Sequence, residues 1–383
     1  MATRSRKQRK SRRIPKGLYD YSLVFLVLFL VCFGLIMIYS TSYYSATMHK
    51  NGDSMFYLKR QALLAGAGVL AMLGVSKINY RVLLKCIPGT KIHIVSICYV
   101  LAIILQVYVL IFGVELNGAK RWINIGPLGT FQPSDFSKLA VIMLIAYMVN
   151  QRPRVLDRMR GFIWIASYVC ILIVLIGKEN MSTAIVIALI LFGMCFVGSR
   201  KSAYFFGMAA VGVALAGVYV LLGDAFRMER VQIWLNVETH EKGFQILQGL
   251  YAIASGGLFG KGLGQSMQKL GYVPEAQNDM IFSIICEELG LFGAFCVIFI
   301  FLLLLWRIFQ IAVNAPDLFG GMLCSGVLIH IAAQVLINVA VVTNSIPSTG
   351  VPLPFISYGG TSVAMLLVEM GIVLSVSNQI TLE

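Results

Sequence analysis

The chain has 383 residues, of which 58% are apolar and only 13% are charged, and its mean hydropathy is +0.82. This composition excludes an ordinary soluble domain and indicates a polytopic membrane protein. In a soluble protein the net charge of +14 would favour nucleic acid as a partner. Here the basic residues gather in the N-terminal tail and in loops between apolar runs, so membrane topology explains them and no nucleic-acid partner is expected.

Ten apolar segments follow one another along the chain, at 19–42, 59–78, 91–114, 136–150, 161–177, 181–199, 203–223, 281–309, 318–343 and 359–379. Each is predicted to be a helix, because backbone polar groups find no water in lipid. The predicted fold class is therefore an all-α polytopic membrane protein with about ten transmembrane helices. We expect a basic cytoplasmic tail (1–17), a single transmembrane domain (18–380) and a large external loop (224–280) between helices seven and eight.

The distribution of Lys and Arg sets the predicted orientation. Alternate loops, which carry residues such as Lys77, Arg81, Arg154 and Arg158, are basic like the tail and are therefore expected to face the cytoplasm. With ten spans both termini are cytoplasmic, and the loops 43–58, 115–135, 178–180, 224–280 and 344–358 are external. Most of the chemically distinctive residues are on that external side.

The loop after the third span carries cations that run against this charge bias. Arg121, next to Trp122, and Lys138 together suit a phosphate group at the outer membrane surface. The alternative is structural: Arg121 stacks on Trp122, and Lys138 pairs with Asp135 or extends to the interface. Arg60, at the outer end of the second span, is expected to extend to the interface.

The long external loop contains Arg227 and a helical stretch in which Gln245 and Gln248 form a polar stripe, suited equally to solvent and to a substrate. The glycine-rich run at 256–264 is not a nucleotide loop, because no strand precedes it; it is expected to allow tight turns and close backbone approach to a phosphate or a sugar. The loop ends with Glu275 and Asp279, just before an apolar segment. Carboxylates are favoured at helix N-termini, so helix capping is the alternative to a chemical role.

The last external loop holds three prolines and three glycines between Pro347 and Gly360, and it also contains Ser357. Prolines and glycines disfavour a regular helix, yet the segment is too apolar to lie in solvent. It is predicted to fold back into the outer half of the bundle, since non-helical backbone at that depth must be buried in protein or line a cavity.

Three stretches, residues 120–138, residues 256–290 and the run P-S-T-G-V-P-L-P-F-I-S-Y-G-G from Pro347 to Gly360, resemble the SEDS family, the FtsW, RodA and SpoVE group. The resemblance spans about residues 17–380. Residues 56–61, at the entrance to the second span, look more like the division and sporulation members, the FtsW and SpoVE branch.

The resemblance implies a peptidoglycan glycosyltransferase that polymerises lipid II at the outer face of the bacterial cytoplasmic membrane. By the same resemblance, Asp279 matches the family's catalytic carboxylate, and Arg121 and Lys138 match its conserved-motif arginine and lysine. Asn180 stands where many members have an aspartate. Implied partners are lipid II, a class B penicillin-binding transpeptidase, and other membrane proteins of division or elongation.

The hypothesis for the mechanism is that Asp279 takes the proton of the acceptor hydroxyl as it attacks the donor sugar with inversion, while undecaprenyl pyrophosphate leaves. The other expected substrate-binding residues are Arg121, Trp122, Lys138, Arg227, Gln245, Gln248, Lys269, Glu275 and Ser357. A divalent cation, Mg²⁺ or Mn²⁺, suits pyrophosphate chemistry, although the sequence shows no dedicated metal site.

Two alternatives to the enzyme remain open at the level of sequence. One is a transporter that flips lipid II, because broken helices and buried charges also suit transport. The other is a scaffold for a cell-wall transpeptidase, whose interface cannot be located from the sequence because helix packing in lipid depends on shape.

Overall fold

The computed structural model describes residues 19–50, 52–89, 92–116, 119–126, 129–201, 203–208 and 225–380. The predicted tail and most of the predicted segment 203–223 lie outside these residues. The helices are α1 (Tyr21–His49), α2 (Phe56–Lys77), α3 (Ile94–Phe112), α4 (Pro133–Gln151), α5 (Met159–Gly177), α6 (Met181–Gly198), α7 (Ala225–Leu235), α8 (Phe244–Gly256), α9 (Ile281–Val313), α10 (Leu318–Val342) and α11 (Thr361–Ser377).

Nine of the ten predicted apolar segments coincide with helices of this bundle. Within the described ranges, seven helices are long and apolar enough to cross a bilayer: α1, α2, α3, α5, α6, α9 and α10. The helix α11 is apolar but only 17 residues long. The helix α4 begins with polar residues and is buried along most of its length by α3, α6 and α10. Protein rather than lipid therefore surrounds α4.

Polar side chains at helix starts explain where several of these helices begin. Asp20 precedes α1, Asn180 precedes α6 and Asp317 precedes α10. Each side-chain oxygen accepts a hydrogen bond from a backbone amide three residues on, at 3.0, 3.1 and 2.8 Å respectively. Such caps satisfy amides that have no partner inside the helix.

The segment between α3 and α4 adds a small sheet to the predicted helices. It forms a three-stranded antiparallel sheet with β1 (Val114–Leu116), β2 (Ala119–Asn124) and β3 (Thr130–Phe131). Gly126 and Gly129, both with positive φ, allow the tight turn between β2 and β3. Strands of two to six residues give too little alternation to be recognised in a sequence, so this small sheet was not predicted beside the helices.

A kink in α9 is coupled to the glycine-rich loop. Gly290 has φ of 69°, and the amides of Leu291 and Phe292 donate instead to the carbonyls of Gly257 and Leu258, each at 3.0 Å. A Cβ on Gly290 would lie 2.3 Å from the amide nitrogen of Gly260, so the two backbones can approach only where side chains are absent. The close backbone approach is therefore made to α9, whereas a phosphate or a sugar was expected.

Buried charges fasten the same loop to α9 and α1. The carboxylate of Glu288 accepts from Lys269 Nζ at 2.7 Å and from Ser40 Oγ at 2.7 Å, and all three side chains are buried. The neighbouring carboxylate of Glu287 accepts from Lys261 Nζ at 2.7 Å. Paired in this way, the two carboxylates serve helix packing.

The segment between α10 and α11 is non-helical and buried, as predicted. Val351, Leu353, Phe355 and Ile356 are at most 5% exposed. A Cβ on Gly34 would lie 2.6 Å from the carbonyl oxygen of Phe355, so the segment reaches α1 at a point 15 residues from the end of that helix, roughly 22 Å along its axis. We call residues 343–360 the re-entrant segment.

Candidate functional site

The carboxylate of Asp279 lies at the end of the turn that leads into α9, and it keeps partial access to solvent. Its backbone carbonyl accepts a hydrogen bond from Asn338 Nδ2 at 2.8 Å, and the same nitrogen donates to the carbonyl of Val351 at 2.9 Å. One amide in α10 therefore fixes the turn against the re-entrant segment. A Cβ on Gly350 would lie 3.7 Å from Asp279 Oδ2, so Gly350 forms one wall beside the carboxylate.

The surroundings of Asp279 change its acidity. Burial raises the pKa of Asp279 from 3.8 to about 6, and the negative charge of Glu275 acts in the same direction. Hydrogen bonds from the amides of Asp279 and Met280 oppose this rise in pKa. A carboxylate whose pKa is close to the working pH is ionised yet basic enough to accept a proton, which suits a general base.

Besides α10, three parts of the structure hold the re-entrant segment: α7, the turn before α9, and α6. Trp234 Nε1 of α7 donates to the carbonyl of Asn344 at 2.9 Å, and Arg230 Nη1 donates to the carbonyl of Ser348 at 3.3 Å. The amide of Tyr358 donates to the carbonyl of Gln277 at 2.9 Å. Ser182 Oγ of α6 donates to the carbonyl of Thr349. The wall beside Asp279 is therefore rigid.

The guanidinium groups of Arg121 and Arg230 lie near one another, and that of Arg230 is bonded to the re-entrant segment. Arg121 Nε donates to the carbonyl of Glu179 at 2.5 Å, and the amide of Lys120 donates to Glu179 Oε2 at 3.0 Å. Burial lowers the pKa of Arg121, and the positive charge of Arg230 lowers it further, against the opposing effect of Glu179. Arg230 is bonded to Ser348, which is two residues from Gly350 along the segment. Arg121 and Arg230 are close enough to repel each other, and two such cations form a site suited to an anion.

This geometry can be compared with that of known proteins. The model of the FtsW, RodA and SpoVE family, described as Cell cycle protein, matches residues 21–382. The chain belongs to this family. Stage V sporulation protein E of Bacillus subtilis is 39% identical over 364 residues, covering 94% of this chain and 96% of the relative. A probable peptidoglycan glycosyltransferase FtsW of Trichlorobacter lovleyi is 36% identical, covering 94% and 93%.

Solved structures of the FtsW/RodA/SpoVE family share the fold. A chain of a peptidoglycan synthase complex matches with a TM-score of 0.77 at 26% identity, covering 94% of this chain and 98% of that chain. The Thermus thermophilus rod shape determining protein RodA matches with a TM-score of 0.68 at 26% identity, covering 95% and 98%. The predicted family is confirmed, and the chain is a multi-pass membrane protein.

Two of the predicted cations of this family member have carboxylate partners inside the protein. Lys138 Nζ lies 2.8 Å from Asp135 Oδ1, and both side chains are buried. This pair matches the structural alternative given above for Lys138. The ammonium of Lys269 lies at Glu288, nine residues beyond Asp279 along the chain and roughly 13 Å along α9. The structure therefore does not bring Lys269 to Asp279, and the expectation that it contacts pyrophosphate has no geometric support.

Three of the remaining predicted residues stabilise the turn before Asp279 or the re-entrant segment. Gln245 Nε2 donates to the carbonyl of Pro274 at 3.3 Å, and Glu275, with φ of 48°, accepts from Asn278 Nδ2 at 2.8 Å, so both shape the turn before Asp279. Ser357 is buried, and its hydroxyl accepts from the amide of Leu353 at 2.8 Å, which stabilises the re-entrant segment.

The other three candidates are less closely tied to the turn. Trp122 pairs with Val114 in the sheet and is partly exposed, and Gln248 is partly exposed on α8. Arg227 belongs to α7, but its side chain lies outside the described part of the structure.

Three residues of the site were not among the predicted ones. Asn338 sits in an apolar helix, and only its isolated polar character in that helix could have indicated it. Arg230 was overlooked beside Arg227. Arg60 does not extend to the interface as expected, because its guanidinium packs on Gly129 and forms a side-chain hydrogen bond with Tyr358.

Proposed function

We propose that the protein is a peptidoglycan glycosyltransferase that polymerises lipid II at the outer face of the cytoplasmic membrane, with Asp279 as the general base. The observation that carries the proposal is the partly exposed Asp279 carboxylate, whose pKa is raised to about 6, held beside Gly350 of the re-entrant segment, to which Arg230 is bonded with Arg121 nearby. Relatives named peptidoglycan glycosyltransferase FtsW support the same reaction class.

In the proposed step, the acceptor sugar's 4-hydroxyl attacks the anomeric carbon of the donor. The O–H proton passes to Asp279, the new glycosidic bond forms, and the bond to pyrophosphate breaks with inversion at carbon. The leaving undecaprenyl pyrophosphate keeps the electron pair, and Arg121 and Arg230 stabilise its negative charge. Asp279 then returns its proton to water.

In this proposal a divalent cation would arrive bound to the pyrophosphate of the substrate and is not a resident cofactor of the protein. Among the described residues no group of three or more His, Cys, Asp or Glu side chains could hold a metal ion. These residues therefore do not fit a resident metal, and both arginines supply positive charge without one. No step of the proposed reaction depends on a metal ion.

The proposal extends to topology and partners. Both termini are assigned to the cytoplasm, which puts the turn before α9 and the sheet outside, where lipid II headgroups are extended into glycan. A class B penicillin-binding transpeptidase is the proposed partner, supported by the similarity to a chain of a peptidoglycan synthase complex. Other membrane proteins of division or elongation are proposed as further partners.

Polymerisation of purified lipid II by the full-length protein, alone and with its transpeptidase, tests this function. We expect Asp279→Asn to reduce the rate by a factor of about 100 to 10,000, the range for loss of a general base. Arg121→Ala should reduce the rate as well. Glu238→Gln, which removes an exposed carboxylate of the same external region, is the matched control and should retain wild-type activity. Normal polymerisation by Asp279→Asn would refute the assignment and favour the transporter or scaffold alternative.

A further inference from the structure

A basic cavity lies at the end of the bundle opposite Asp279. It has a volume of about 860 Å³ and opens between the loop 152–158 and the start of α5. The 19 residues of α5, about 28 Å of helix, separate this cavity from Glu179 and the arginine pair. The cations that line it are Arg152, Arg154, Arg158, Arg160 and Lys201. A ligand of this cavity would therefore occupy the opposite membrane leaflet from the substrate of the proposed reaction.

The charge of the cavity is largely uncompensated. Asp157 is the single carboxylate in its lining, and Asp157 Oδ1 already accepts a hydrogen bond from the amide of Arg200 at 3.2 Å. None of the five lining cations forms an ion pair with any residue that the structure describes. Five positive charges around one cavity favour the binding of an anion there.

The start of α5 adds backbone donors to the same place. No side chain caps this helix, whose N-cap residue is Arg158, and Arg160 and Gly161 of its first turn line the cavity. The amides at a helix N-terminus and the positive end of the helix dipole both favour a negatively charged group. The backbone amides and the basic side chains therefore both favour an anionic ligand.

The loop that carries these groups is held in place. Leu156 is fully buried, and its carbonyl accepts hydrogen bonds from Ser199 Oγ at 2.9 Å and from the hydroxyl of Tyr204. A Cβ on Gly161 would lie 1.7 Å from the carbonyl oxygen of Val155, so the loop packs directly against the first turn of α5. The cavity is thus preformed, and binding need not order the loop.

An apolar stripe leads from the cavity along the outside of α5. Trp164 lines the cavity, with the guanidinium of Arg152 5.3 Å from the centre of its ring. Trp164, Tyr168 and Ile171, at spacing i, i+4, i+7, are 37, 41 and 46% exposed and share one face of the helix. An anionic headgroup in the cavity would have its acyl chains along this stripe, which a soluble anion could not use.

We propose that this cavity is a binding site for the phosphate headgroup of an anionic phospholipid in the leaflet opposite Asp279. The cations and the helix N-terminus hold the phosphate, Trp164 marks the level of the headgroup, and the stripe on α5 receives the acyl chains. The site is independent of the proposed glycosyl transfer, since none of its residues belongs to the region of Asp279.

Titration of phosphatidylglycerol into the full-length protein in detergent, with bound lipid counted by native mass spectrometry, tests the proposal. We expect Arg158→Gln/Arg160→Gln to weaken binding about 25-fold, since each basic residue near an anionic lipid contributes about fivefold. The matched control, Lys77→Gln/Lys85→Gln, removes two exposed cations of the same membrane side outside the cavity and should change binding little. Equal losses in both variants would overturn the site.

Two further arms distinguish a lipid from a soluble anion. Phosphatidylcholine should bind much more weakly than phosphatidylglycerol, and Trp164→Ala should weaken phosphatidylglycerol binding. If inorganic phosphate displaces the lipid completely and Trp164→Ala has no effect, the cavity binds free phosphate and the lipid assignment is wrong. Should the first variant fail to fold, Arg154→Gln/Lys201→Gln removes two other lining cations and is expected to give the same loss.

Discussion

Asp279→Asn should make the folded protein more stable at neutral pH while it slows the proposed reaction by a factor of about 100 to 10,000. Burial raises the pKa of the carboxyl from 3.8 to about 6, so the folded state prefers the protonated form. The ionised carboxylate therefore destabilises the fold. This destabilisation is absent below pH 3.8, grows as the pH rises, and is complete above a pH of about 6.

The magnitude follows from the difference between the two pKa values. At roughly 1.4 kcal/mol for each unit of pKa, the rise from 3.8 to about 6 corresponds to an upper bound of about 3 kcal/mol. Because the carboxylate keeps partial access to solvent, we expect an observed gain of about 1–2 kcal/mol in the free energy of unfolding at pH 7.5. Such a gain is typical when a functional group that is strained in the folded state is removed.

Thermal unfolding of wild type and Asp279→Asn in the same detergent, between pH 4 and pH 8, measures the effect. The two unfolding midpoints should coincide near pH 4 and diverge as the pH rises, with the variant above the wild type. Glu238→Gln, at an exposed carboxylate, should follow the wild type throughout. A constant offset between wild type and Asp279→Asn at all pH values, or a less stable variant at pH 7.5, would refute the reasoning.

Three further predictions concern activity and packing. The rate of lipid II polymerisation should rise with pH through about 6, as Asp279 loses its proton, and a profile without an inflection there would contradict the proposed base. Glu288→Gln should lower the free energy of unfolding by about 3–5 kcal/mol, measured by thermal unfolding, because it leaves Lys269 buried without its counter-charge. Gly290→Ala should prevent recovery of a monodisperse protein in size-exclusion chromatography, because its Cβ would meet the backbone of the glycine-rich loop, whereas Gly66→Ala, with open space around it, should elute like the wild type.

The helices, the re-entrant segment and the family were all predictable from the sequence. Apolar length is a local property, and lipid leaves the backbone no alternative to the helix over such a length. Prolines and glycines between Pro347 and Gly360 interrupt the helix equally locally, and the same residues carry the family resemblance. The identity of Asp279 as the candidate base came from that resemblance and from its place at the start of an apolar segment.

Tertiary structure decided how the polar residues are used. Lys138 and Lys269 looked alike as external cations, yet each is buried against a carboxylate, while Arg121 lies near a second arginine, Arg230.

The polar partners are far apart along the chain: Asn338 is 59 positions from Asp279 at the site, and Ser40 is 248 positions from Glu288 in the packing cluster. Hydrophobic periodicity records which face of a helix is apolar but not which polar group on another helix it meets. Only the packing of the bundle brings those groups together, and that packing makes one carboxylate a base and its neighbours structural.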